Sequence, residues 1–160
     1  METYQERLYW TIRRLVPDHE DANDVLQNCF VKVYRSILAF EGKSKLYTWL
    51  YRIATNEAIT FLNQKKQRRT AALDEGGASL ANCLRADRYF DGDKAQHCLM
   101  EAVALLPEKQ RLVFNLRYFD EMSYADMSEV LGTSEGALKA SFHHAVKKVE
   151  SHLKKVVIFD

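Results

Sequence analysis

The sequence predicts an all-α fold on three observations. Only Pro17 and Pro107 interrupt its 160 residues as prolines, apolar residues recur at helical spacing, and β-branched alternation is scarce. A hydrophobic content of 47% with 28% charged residues is that of a globular chain and excludes disordered, collagen-like and membrane classes. The length accommodates one ordinary domain or two small ones.

The elements follow in order. Leu8, Ile12 and Leu15 form one apolar stripe before Pro17, and Val25, Cys29, Val33 and Ile37 form a second, with Asp18 and Asp21 placed to cap it. Phe40–Lys45 reads as a loop. Leu46, Leu50, Ile53 and Phe61 then mark a third helix running into the basic stretch Lys65–Arg69, which suits a helix C-terminus. From Ala71 to about Gly92 the periodicity fades among Gly76, Gly77, Ser79 and Asp91, the composition of a linker that can carry a short helix of its own.

Leu99, Val103 and Leu106 resume the pattern, and Pro107-Glu-Lys-Gln opens a helix reaching Phe114 and Leu116. Ser123 with Asp126 approximates a capping box for a short helix whose Met127, Val130 and Leu131 face inward. Gly132 ends that helix, and Thr133 or Ser134 caps the next, from Glu135 to about Lys154. The expectation is two small helical domains, 1–72 and 94–160, joined by a linker over 73–93.

Charge divides the chain. Residues 1–31 hold three basic and six acidic side chains, 32–69 nine and two, 70–138 six and twelve, and 139–160 five and two. Two basic islands separated by acidic surface suit a polyanion on one side and a protein partner on another. No apolar run reaches the length of a membrane span and the N-terminus lacks the build of a secretory signal, so a cytoplasmic location is expected. Cys29, Cys83 and Cys98 share no C-x-x-C spacing, and neither a disulfide framework nor a zinc site is expected.

The capped helix, glycine turn and capped helix over Ser123–Lys148 have the form of a helix-turn-helix, whose second helix enters a major groove. Glu135, Gly136, Ala137, Ala140 and Ser141 near its start are small or polar and permit close approach to bases, while Lys139, His143, His144, Lys147 and Lys148 reach outward. The same spacing also fits a plain αα-hairpin in a bundle. His97-Cys98 and His143-His144 are adjacent pairs that point to different sides of a helix and do not suit a shared metal. No catalytic constellation, phosphate-cradling glycine loop or cofactor motif is present, so no enzyme, cofactor or small-molecule substrate is expected.

Three groups of residues carry a family resemblance: Leu106-Pro-Glu-Lys-Gln-Arg111 with Phe114-Asn-Leu-Arg-Tyr118 and Ser134-Glu-Gly-Ala-Leu-Lys139, then Asp21–Arg35, then Tyr47–Asn56. In their order along the chain they resemble the extracytoplasmic-function class of sigma factors, and they cover most of it. The resemblance implies a subunit that binds core RNA polymerase, directs it to promoter DNA and helps open the duplex, with an anti-sigma factor as a further possible partner. The alternative is a free-standing helix-turn-helix regulator that does not require polymerase.

Residue by residue, the resemblance assigns Asp24, Gln27, Asn28, Val31, Tyr34 and Arg35 to core polymerase. It assigns Lys43, Ser44, Lys45, Tyr47, Arg52 and Asn56 to the unpaired −10 element, where lysines and arginine suit the backbone and an aromatic face suits an extruded base. Trp49 reads as structural. Ser134, Glu135, Gly136, Ala137, Lys139, Ala140, Ser141, His143, His144 and Lys147 fall at the positions that read the −35 element, with Ser141, His144 and Val146 standing where the family usually has arginine. The family usually carries about one more helix before Tyr4–Val16, and without it Leu8, Ile12 and Leu15 are expected to expose apolar surface to a partner.

Overall fold

In the computed structural model, residues 2–71 and 94–159 are described; the expected linker and Cys83 lie outside them. Every described element is helical. Helix α1 spans Glu2–Leu15, and α2, His19–Ser36, begins where Asp18 accepts a hydrogen bond from the Asp21 N–H at 2.9 Å. Asp18 alone is therefore the cap. The Asp21 carboxylate, also expected to cap, instead pairs with Lys65 across the bundle at 2.5 Å. A 3-10 turn, Ile37–Ala39, leads to the loop before α3, Leu46–Ala71.

Helix α4 spans Lys94–Ala104 and α5 spans Glu108–Phe114, after which the backbone widens into a π turn over Asn115–Phe119. Helices α6, Tyr124–Leu131, and α7, Glu135–Phe159, complete the chain. The inward-facing residues form two apolar clusters. One joins Ala102, Val103 and Leu106 of α4 and its end to Phe114, Ala145 and Val149.

The other crosses between the halves of the chain. It contains Leu8, Ile12, Val25, Cys29, Leu50 and Ala54 from α1–α3 together with Leu116, Met122, Met127, Val130 and Leu138 from the C-terminal half. Leu116 and Met127 are fully buried there, and burial of each such side chain contributes roughly 1.5–3 kcal/mol. Leu8 and Ile12 are likewise fully covered and Leu15 is only 2% exposed. The expected exposed stripe on α1 is thus absent: α2, α3 and the π turn cover it.

One carboxylate accompanies this apolar seam. Asp120, at the end of the π turn, accepts from the Thr11 hydroxyl at 3.0 Å and the Tyr51 hydroxyl at 3.3 Å, and pairs with Arg14 at 3.6 Å. Arg14 also lies over the Phe119 ring, 4.4 Å from its centre. Burial pushes the Asp120 carboxyl above its ordinary range against the pull of Arg14, Thr11 and Tyr51.

Candidate nucleic-acid and protein interfaces

The first candidate set lies on α2. Asp24, Gln27, Asn28, Val31, Tyr34 and Arg35 are all exposed, while Ala22, Val25, Leu26, Cys29 and Val33 on the opposite face are buried. Tyr34 is 79% exposed, an unusual position for an aromatic ring unless something outside covers it. Ile37, expected in the core stripe, is instead 41% exposed, because the helix tightens to a 3-10 turn there and rotates it outward. Beside it Leu38 is 98% exposed. Sequence reasoning missed Leu38, although an apolar residue just past the end of a helical stripe was the available signal.

The second set surrounds the loop before α3. Gly42 takes φ +69, which lets the chain turn tightly, and Lys43 pairs with Glu41. Lys43, Ser44, Thr48, Trp49 and Arg52 line a cleft of about 270 Å³, together with Glu129 of α6. Trp49 is half-buried and packs on Phe40 with ring centres 5.0 Å apart, so it both supports the loop and forms the cleft wall. Asn56 is exposed one turn further along α3 from Arg52.

Two members of this set face inward to the C-terminal half. The Tyr47 hydroxyl donates to Asp126 of α6, and Lys45 Nζ pairs with the same carboxylate oxygen at 3.3 Å. Burial, then the hydrogen bond to Asp126, pushes the Tyr47 phenol up to about 12. The Tyr47 hydrogen bond, foremost, holds the Asp126 carboxyl below its usual range. Ser123 accepts from the Asp126 N–H at 3.1 Å, as the capping box requires, yet the Asp126 side chain serves Tyr47 and Lys45.

The third set occupies the start of α7. Gly132 ends α6 in the left-handed region, φ 63 and ψ 29, with its N–H donating to Ser128 O at 2.9 Å. Ser134 caps α7 by accepting from the Ala137 N–H at 3.3 Å, whereas the Thr133 hydroxyl donates back to Leu131 O at 3.4 Å. Leu138, Ala145 and Val149 are buried, leaving Ser134, Glu135, Gly136, Ala137, Lys139, Ala140, His143, His144 and Lys147 exposed and Ser141 half-buried.

Gly136 is informative because a Cβ there would meet nothing within 4 Å. Glycine inside a helix costs roughly 0.5–1 kcal/mol relative to alanine, and no packing within the chain demands it. Small exposed residues at 136, 137 and 140 leave space for an external surface. The Tyr124 ring, with Arg117 at 4.8 Å and Lys139 at 5.5 Å from its centre, braces α6 against α7. Among the described residues no three His, Cys, Asp or Glu side chains group to hold a metal, and no helix is long and apolar enough to cross a membrane.

Comparison with known proteins identifies the family of both halves of the chain. The family profile described as Sigma-70 region 2 matches residues 1–69, and that described as Sigma-70, region 4 matches residues 96–149. The RNA polymerase sigma-H factor of Pseudomonas aeruginosa is 30% identical over 162 aligned positions, covering 96% of this chain and 84% of that protein. The ECF RNA polymerase sigma-E factor of Escherichia coli K12 is 26% identical with the same coverage. A solved structure of the sigma factor RpoE with the anti-sigma factor NepR from Bartonella quintana shares the fold, with a TM-score of 0.74 at 23% identity, covering 95% of this chain and 92% of that one.

Proposed function

The chain belongs to the sigma factors of bacterial RNA polymerase, in their extracytoplasmic-function class, and on that premise we propose how its exposed faces divide the work. As a sigma factor it directs core polymerase to promoters in transcription initiation. The proposed division gives residues 1–72 core binding and the −10 element, 94–160 the −35 element, and 73–93 the connection between them.

On α2, Asp24, Gln27, Asn28, Val31, Tyr34 and Arg35 meet core polymerase, and Ile37 and Leu38 extend that face. Lys43, Ser44, Lys45, Tyr47, Arg52 and Asn56 receive the unpaired −10 strand, with Trp49 added as a wall of the cleft. The start of α7 reads −35 through Lys139, His143, His144 and Lys147 around the small residues Gly136, Ala137 and Ala140. A place of action in the cytoplasm, an initiation role without covalent catalysis, and an anti-sigma factor as a further partner complete the proposal.

The observation that carries the polymerase assignment is the exposed apolar run Val31, Tyr34, Ile37 and Leu38 on and beyond α2. Aromatic and aliphatic anchors beside an arginine compose a protein-binding hot spot. The test is run-off transcription with purified core polymerase, together with core binding by anisotropy. Tyr34→Ala with Leu38→Ala is expected to weaken core binding at least about tenfold, the effect of losing one hot-spot residue at 1.4 kcal/mol or more, without altering helix content. Unchanged core binding refutes the assignment.

A further inference from the structure

Resting on the −35 assignment above, we propose that His143 and His144 make the grip of α7 on duplex DNA proton-dependent. As imidazolium ions they take a phosphate on either wall of the major groove, and as neutral rings they release it.

At about 100° per residue, Gly136, Ala140 and Lys147 form one outward stripe on α7, opposite buried Leu138, Ala145 and Val149. His143 and His144 lie roughly 40° and 60° to its two sides. A helix with its side chains is about 10–12 Å across, the width of the major groove. The small residues of the stripe therefore face base edges, and the flanks face the two sugar-phosphate walls. Each flank carries one permanent cation, Lys139 beyond His143 and Lys148 beyond His144, and one imidazole.

Among the described residues nothing supplies either imidazole with a counter-charge. Both are exposed, with ring centres 6.0 Å apart. One turn away on α7 stand Lys139 and Lys147 for His143, and Ala140 and Lys148 for His144, while Glu135 and Glu150 are six or more residues off. Helices α4, α5 and α6 pack on the buried side, through Leu138, Ala145 and Val149. None of their acids, Glu101, Glu108, Asp126 and Glu129, makes a hydrogen bond or ion pair with either ring, and none of their cations, Lys94, Lys109 and Arg111, contacts one. A DNA phosphate is the counter-charge that the pair lacks. Imidazole is the side chain that changes charge between pH 5 and 8, and a ligand that favours the charged form is bound more tightly as pH falls.

The experiment uses the full chain and a fluorescein-labelled, random-sequence duplex of about 20 base pairs, two helical turns. Affinity is read by anisotropy over a salt series at pH 6 and pH 8, on either side of the imidazole range. Each phosphate neutralised adds about 0.9 to the slope of log affinity against log salt, so the slope is expected to steepen by about 1.8 from pH 8 to pH 6. His143→Gln with His144→Gln should keep the shallow slope at both pH values, and His143→Arg with His144→Arg the steep one at both. His97→Gln, which leaves the pair intact, should steepen like the parent. A parent slope that ignores pH, or steepening that survives in the glutamine pair, overturns the proposal. Lys139→Ala with Lys147→Ala at pH 8 reads the α7 face by itself. Weakened binding there, without a pH-dependent slope in the parent, leaves the −35 assignment standing and removes only the proton dependence. Unchanged binding overturns both.

Discussion

Asp120 illustrates how one side chain fastens two halves of a chain. Its carboxylate, 7% exposed, has Thr11, Arg14 and Tyr51 around it, and removing it strands a guanidinium that is 18% exposed. Asp120→Ala is expected to cost about 3 kcal/mol at neutral pH, the scale of breaking a buried pair from one side, measured by urea unfolding. Asp120→Asn keeps an acceptor for Thr11 and Tyr51 and should cost less. Because burial raises the Asp120 carboxyl above its unfolded value of 3.8, the stability this shift contributes is full below pH 3.8 and is lost as pH rises through the folded value. The Asn variant should therefore lose that part of the pH dependence. None of this was legible in the sequence, where Asp120 is one acid in an acidic block and Thr11 lies 109 residues away.

At the scale of the element, the turn between α6 and α7 rests on chemistry that is local and therefore readable. Gly132 at φ 63 has open space around its Cβ position, so Gly132→Ala is expected to cost about 1–2 kcal/mol from backbone strain alone. Thermal unfolding followed by circular dichroism checks this, and an unchanged midpoint would contradict the left-handed cap. Capping serine, glycine stop and buried stripe were all visible as spacing. The α2 face was visible too, up to the point where the helix tightens and turns Ile37 and Leu38 outward, a change of pitch that no periodicity announces. The π turn over Asn115–Phe119 and the destination of the Asp126 carboxylate were hidden for a related reason. Both depend on what packs against the element, not on its own residues.

For the whole molecule, the sequence distinguished two helical units and their order, but not that they share a core. Leu116, Met122, Met127 and Val130 complete a cluster begun by α1–α3, and side chains joined in this way are expected to unfold together. Both tryptophans, Trp10 and Trp49, belong to the N-terminal unit. Met127→Ala in α6 should therefore lower the urea midpoint reported by tryptophan fluorescence as much as that reported by circular dichroism, with a loss of about 2–5 kcal/mol. Separate transitions would show the halves to be independent. The aliphatic make-up of this shared cluster has a consequence for temperature. Attraction between such surfaces is entropic near 25 °C and fades on cooling, so a cold environment loosens the seam before it loosens the hydrogen-bonded helices. Cooling, more than mild warming, is therefore expected to weaken this seam.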